Sequence, residues 1–264
     1  MNIIAIDIGN TNIRIGLFLE GEEQFIRSIG GDSPETIAQC LAEAWEQIPV
    51  SAASRQGQRD GVIVISSVKP AWTQMVETLA GQRLGEKCMV IGRDIPLPMS
   101  CWVDAPEKVG TDRLVLASAA YDVVEAAVIV IDIGTAMTID LVDQNGVFRG
   151  GVICPGLQAG ADALHRATAL LPTVQVHRPD TPYGRNTEDA INCGLYYSMI
   201  GTLQEVVRRY AEELGTWPQT VITGSGAAIV QQDCDFIDSY VPNLVVKGIV
   251  LAYQKYLDQQ AEAV

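Results

Sequence analysis

The chain has 264 residues, enough for one large domain or two of ordinary size, and its 48% hydrophobic against 19% charged residues exclude disorder as the main state. Eighteen Lys and Arg against 32 Asp and Glu give a formal charge of −14. That balance argues against nucleic-acid binding and against an anionic membrane surface, while leaving room for a small anionic ligand. Six cysteines form no C-x-x-C pair and two His offer no zinc-type spacing, so reduced, mostly buried thiols are expected.

In chain order, Ile3-Ile4-Ala5-Ile6 reads as a buried strand. The start from Met1 has no basic head and carries Asp7 inside its apolar run, unlike a signal peptide. The longest apolar run, Ala126 to Ile131, is far short of the ~20 residues that span a bilayer. A cytoplasmic protein with no membrane segment is expected. The turn Asp7-Ile8-Gly9-Asn10-Thr11-Asn12 leads into a second strand, Ile13 to Leu19, and Gln24 to Ile29 gives a third. Ser33-Pro34-Glu35 opens a helix carrying Ile37, Leu41, Ala44, Trp45 and Ile48 at helical spacing. Val62 to Ile65 is a strand, Pro70 to Leu79 a helix stopped by Gly81, and Met89 to Ile91 a strand. A linking helix covers Asp112 to Val124.

The pattern then restarts. Ile129-Val130-Ile131-Asp132-Ile133-Gly134-Thr135 repeats the layout of residues 4–10, followed again by two strands, Thr138 to Val142 and Val147 to Ile153. A long helix from Thr187 carries Ile191, Leu195, Met199, Leu203, Val206, Tyr210 and Leu214 and ends at Gly215. Strand Gln219 to Thr223, a glycine turn and a helix from about Pro242 complete the second half. The fold class is α/β with two matched halves, 1–120 and 121–264.

Phosphoryl transfer needs donors around the phosphates, cationic charge and a positioned acceptor hydroxyl. A D-x-G turn can simply close a hairpin. Two copies opening matched halves favour the functional reading, in which the glycine admits close backbone approach and the aspartate holds a hydrated Mg2+. No G-x-x-x-x-G-K-[ST] occurs, and five Lys (69, 87, 108, 247 and 255) leave backbone amides, Arg and metal to carry most of the anion binding. In Gly110-Thr111-Asp112-Arg113, Thr111 can be a helix cap and Asp112 a first-turn acid. Alternatively Asp112 is the base for a substrate hydroxyl, kept ionised by the helix N-terminus, with Arg113 beside it. The amides of Thr223-Gly224-Ser225-Gly226 either face a nucleotide or only turn the chain. Gly150-Gly151 and Pro155-Gly156 shape a cleft floor or a turn, Asn186-Thr187-Glu188 caps the long helix, and His165 and His177 read as surface or packing residues.

Taken in order, D-I-G-N-T-N at 7–12, G-T-D-R at 110–113, D-I-G-T-A at 132–136, G-G-V-I-C-P-G at 150–156 and N-T at 186–187 resemble the type III pantothenate kinase family over nearly the whole chain. The resemblance implies duplicated ribonuclease-H-like domains of the actin-like ATPase superfamily around an ATP cleft, and a homodimer. It implies that Asp7, Ile8, Gly9, Asn10, Thr11, Asn12, Ile13 and Arg14 hold ATP phosphates, with Thr135 also contacting ATP. Asp112 would accept the proton of the pantothenate hydroxyl. Gly110, Thr111 and Arg113 would bind pantothenate, joined by Thr187 of the partner subunit. Asp132 would hold a monovalent cation, K+ or NH4+, beside Mg2+. The implied products are 4'-phosphopantothenate and ADP, on the way to coenzyme A. The chain departs from the family where a tyrosine followed by Asp-Asn-Pro is usual and Trp102-Val103-Asp104-Ala105-Pro106 stands, and where Thr223-Gly224-Ser225 replaces T-G-G. Two other readings are a non-catalytic regulatory member of the same family and a phosphotransferase of the same fold acting on another alcohol.

Overall fold

The computed structural model of the chain describes residues 1–51 and 58–262. In the first half, β1 (Ile3–Ile8), β2 (Asn12–Leu19), β3 (Glu22–Gly30), β4 (Val62–Ser67) and β5 (Cys88–Val90) form a sheet of order β3-β2-β1-β4-β5. All six residues of β1 are buried, as a near-continuous apolar run requires when both faces of a strand are covered. Helices α1 (Pro34–Gln47) and α2 (Pro70–Leu84) pack on one face through Ile37, Leu41, Trp45, Val76 and Ala80. Each fully buried Ile or Leu in that cluster contributes about 1.5–3 kcal/mol.

The second half repeats this plan. Its strands β6 (Val128–Ile133), β7 (Ala136–Val142), β8 (Phe148–Pro155), β9 (Gln219–Thr223) and β10 (Ser239–Tyr240) follow the order β8-β7-β6-β9-β10. In both sheets the first three strands are antiparallel neighbours and the last two add in parallel. Even the irregularities match, because register shifts fall between Leu17 and Phe18 in β2 and between Leu141 and Val142 in β7. A bulge repeated at one place is an inherited feature of the frame. The α/β class with two matched halves is therefore observed.

The remaining helices are α3 (Thr111–Val124), α4 (Leu157–Ala167), α5 (Thr187–Leu214), α6 (Ala227–Val230) and α7 (Leu244–Glu262). Two compact units result: Met1–Met99, Glu107–Ala119 and Val245–Val264 form one, and Ser100–Pro106 with Ala120–Leu244 the other. A single boundary at 120/121 thus leaves out the return of the C-terminal helix to the first unit. Close packing explains it. A Cβ on Gly16 would stand 2.6 Å from Val246, and one on Gly248 2.7 Å from Val115 of α3, so both glycines admit α7 against the first unit.

Three local expectations shift. Helix α2 runs through Gly81 and ends at Gly85, whose φ of +75° supplies the left-handed cap that Gly81 does not. Helix α5 buries Tyr196, Ile200, Val207 and Ala211 alongside Ile191, Met199 and Leu203. Strict four-residue steps drift around a helix of 3.6 residues per turn, so the buried face mixes steps of three and four. The G-G-V-I-C-P-G segment ends β8 and, at Gly156, caps α4, a helix that the sequence pattern does not mark.

Candidate active site

The first candidate segment is the β1–β2 turn. Asp7 is only 4% exposed at the end of β1, and its Oδ2 accepts from Arg14 Nη1 at 2.9 Å, directly across the β1–β2 ladder. Arg14, expected as a phosphate ligand, is therefore engaged with the aspartate. The turn's carbonyl oxygens are turned to protein donors: Ile8 accepts from Val68 N (3.1 Å), Thr11 from Gly31 N (3.2 Å) and Asn12 from Gly9 N (3.1 Å). Asn10 O accepts from Lys69 Nζ at 3.1 Å. Satisfying these oxygens removes negative potential from the turn, the setting an anion needs.

Gly9 does not have a positive φ, and a Cβ on it would meet only Asn12 O, at 3.3 Å. Its backbone conformation therefore does not demand glycine, although the Asn12 oxygen would crowd a Cβ.

The second turn, Gly134-Thr135, is fixed by glycines. Gly134 N donates to Ala136 O (2.9 Å), Gly156 N to Thr135 O (3.0 Å) and Gly226 N to Ile133 O (2.9 Å). A Cβ on Gly156 would lie 2.1 Å from Gly134 O, and one on Gly224 2.3 Å from Asp132 Oδ1. Thus Pro155-Gly156 and the Thr223–Gly226 turn pack against and hold the Asp132 turn, and α6, which follows the second of them, has only four residues. Asp132 itself is half-buried, with Thr138 opposite in register.

Asp112 lies in the first turn of α3, where its Oδ1 accepts from Arg113 N at 2.8 Å. A Cβ on Gly110 would stand 2.4 Å from that oxygen, so the glycine gives the carboxylate its place. Burial pushes the Asp112 carboxyl above its usual range, against the opposing pull of the Arg113 amide and charge. The helix N-terminus therefore does not dominate, contrary to expectation, and the shift brings the group closer to the pKa that suits a base at neutral pH. Thr111 is not a cap by its side chain. Its hydroxyl donates to Ser67 O (3.0 Å) and accepts from the buried Ser66 hydroxyl (3.2 Å), tying α3 to the end of β4.

Asn186 caps α5 as expected: its side chain accepts from Asp189 N (2.8 Å) and donates to the Asp189 carboxylate (2.8 Å). Thr187 is exposed beside an open, mainly apolar groove of about 430 Å3 lined also by Leu164, Leu171, Ile191, Gly194 and Leu195. Trp102 is 67% exposed, with the Arg149 guanidinium 3.7 Å from its ring centroid. Arg149 also binds Asp143 (3.1 Å). Burial alone would raise the Asp143 carboxyl, but the amides of Val147 and Asn145, with Arg149, hold it below its usual range. His165 and His177 lie on the surface and bond backbone carbonyls. The sequence reading missed Ser66, Ser67 and Lys69. Their signal was the S-S-V-K-P run, where a strand ends in hydroxyls just before a helix.

A model of type III pantothenate kinase matches residues 3–209. The chain belongs to this family. It is 32% identical over 255 residues to the type III pantothenate kinase of Dehalococcoides mccartyi, covering 96% of this chain and 97% of that one. Identity to the Brevibacillus brevis type III pantothenate kinase is also 32%, over 256 residues, covering 96% and 98%. A Campylobacter jejuni crystal structure, described as a conserved Baf family transcriptional activator, superposes with a TM-score of 0.62 at 17% identity, covering 98% of this chain and 100% of that one. At that identity the likeness shows the fold alone. No helix among the described residues is long and apolar enough to cross a membrane.

Proposed function

We propose that this chain phosphorylates pantothenate from ATP, giving 4'-phosphopantothenate and ADP in coenzyme A biosynthesis. The observation that carries the reading is the family match over residues 3–209, which spans all five motifs. The segment Asp7 to Arg14 holds the ATP phosphates, with Arg14 acting through its pair with Asp7, and Thr135 contacts the same nucleotide. Gly110, Thr111 and Arg113 bind pantothenate. Its hydroxyl oxygen attacks the γ-phosphorus, the bond from that phosphorus to the β–γ bridging oxygen breaks, and the hydroxyl proton passes to Asp112. The raised pKa of Asp112 makes it a better proton acceptor than an ordinary aspartate, and its bond to Arg113 N orients it.

A Mg2+ that keeps its waters and is held by one carboxylate and the phosphates needs no all-protein cage. That suits a chain in which, among the described residues, no three His, Cys, Asp or Glu gather as a metal site. Asp7 would hold it, and its chemistry is neutralisation of phosphate charge. Asp132 would hold K+ or NH4+; the missing Cβ of Gly224 keeps the space beside its Oδ1 open.

A homodimer in which Thr187 of the partner subunit reaches pantothenate is part of the same reading. Gly194 and Gly201 of α5 are exposed, and a Cβ on either would meet nothing within 4 Å. Glycine inside a helix costs about 0.5–1 kcal/mol relative to alanine. Packing within this chain does not call for it, while close approach of a second copy does.

The cytoplasmic location belongs to this proposal, as does a split into two functional domains at 120/121 in which α7 joins the first. Purified protein with ATP, Mg2+, K+ and pantothenate should yield phosphopantothenate, read by mass spectrometry. Turnover of a sugar or another alcohol with none of pantothenate would overturn the substrate assignment. Sedimentation velocity should give a dimer, reduced to monomer by Gly194→Trp.

A further inference from the structure

We propose that Lys69 is a phosphate-binding residue of this site, resting on the ATP reading above, which leaves the lysine without a role. Three observations meet on it. Its Nζ donates to Asn10 O at 3.1 Å, so the ammonium already touches the phosphate-binding turn. Its other contact is the Trp72 ring, 3.1 Å from the centroid. Neither partner is a carboxylate, and no acidic partner of Lys69 occurs among the described residues. By contrast Arg14, the other cation at the turn, is held by buried Asp7.

The placement also defies local preference. Lys69 stands at the N-cap of the 15-residue α2, which has no acid in its first turn, while α1 carries Glu35 there and α5 carries Glu188 and Asp189. A cation beside the positive end of a helix is disfavoured, and one neutral carbonyl and one ring face are modest compensation for breaking that local rule, which points to a functional position. The backbone of Lys69 is held independently: its N–H donates to Ser67 Oγ (3.0 Å), which also accepts from Thr73 Oγ1 (2.7 Å). The side chain is thus a cation on a fixed base, exchanging the ring face for a phosphate oxygen when a triphosphate arrives, with N–H donors to spare for the Asn10 carbonyl.

The exchange predicts an optical signal, because the ammonium leaves the Trp72 ring. ATP binding to the intact protein, followed by intrinsic tryptophan fluorescence, should give a change that is lost in Trp72→Phe. In Lys69→Met, KM for ATP should rise by about ten- to a hundredfold, the range of one charged hydrogen bond, with KM for pantothenate unchanged. Lys69→Arg should recover most of the loss, and a melting curve checks the fold of each variant. If wild type phosphorylates pantothenate and Lys69→Met keeps ATP binding and KM within twofold, Lys69 has no such role. If wild type binds ATP in a Lys69-dependent manner but leaves pantothenate untouched, the Lys69 inference stands and the substrate assignment falls.

Discussion

The two D-I-G turns share a frame and differ in what fills it. In each, the isoleucine carbonyl accepts from the loop after the fourth strand, Val68 N or Gly226 N, and the threonine carbonyl from the glycine after the third, Gly31 N or Gly156 N. The first turn has one residue more, Asn10, and its carbonyl is the one that Lys69 takes. Opposite the aspartates stand Arg14 in one case and Thr138 in the other. Backbone hydrogen bonds survived the duplication while the side chains diverged, one turn toward charge and the other toward tight glycine packing.

The largest effect is expected where neither turn acts, at Asp112, the proposed base. Asp112→Asn should lower kcat by about 10²–10⁴-fold, measured by coupled ADP release. Its effect on stability has the opposite sign. Because the folded-state pKa of Asp112 is raised, its favourable contribution is present below the unfolded pKa and lost as pH rises through the folded one. The Asn variant should therefore melt higher than wild type at neutral pH; an equal or lower Tm would contradict the assigned burial.

Next comes the glycine contrast. Gly156→Ala and Gly224→Ala place a Cβ against backbone or carboxylate oxygens and should destabilise by about 1–3 kcal/mol in urea unfolding. Gly9→Ala, whose Cβ meets the Asn12 oxygen less severely at 3.3 Å, should destabilise less than either while raising KM for ATP. Equal destabilisation by all three would erase the distinction drawn between the turns.

Removing Arg14 sharpens the charge difference. Arg14→Met leaves buried Asp7 without its cross-strand cation and should cost about 1–3 kcal/mol, whereas Thr138→Val should cost less than half of that.

The smallest effect lies away from both turns, in the second unit, where Arg178 makes a bidentate pair with Asp233 and the buried Tyr196 hydroxyl donates to the same carboxylate. Arg178 and Tyr196 hold the Asp233 carboxyl down to about 2. Its stabilising contribution is present above the unfolded pKa and lost as pH falls through about 2. In Arg178→Met the carboxyl carbon of Asp233, followed by NMR, should titrate at a higher pH than in wild type.

Much of this was legible in the chain. The strands around Asp7 and Asp132, the repeat itself, the capped start of α5 and its stop at Gly215 follow from apolar runs, turn residues and caps, all local signals. The G-T-D-R segment was found at the start of a helix, but the use of its threonine was not, because the hydroxyl's partners, Ser66 and Ser67, lie more than 40 positions upstream. Likewise the glycines at 156, 224 and 226 read as turn formers or amide donors. Their contacts to the Asp132 turn show that all three pack against it, Gly156 and Gly226 also donating their amides to its carbonyls.

What the order of residues determined by itself was the duplicated strand plan, the family and the places where carboxylates meet glycine turns, since periodicity and short spacing write these directly. Only the tertiary structure decided that α7 returns to the first unit, that burial outweighs the helix end at Asp112, and that Lys69 reaches Asn10. Each of those depends on groups far apart in the chain, and desolvation and side-chain reach exist only once the chain has packed.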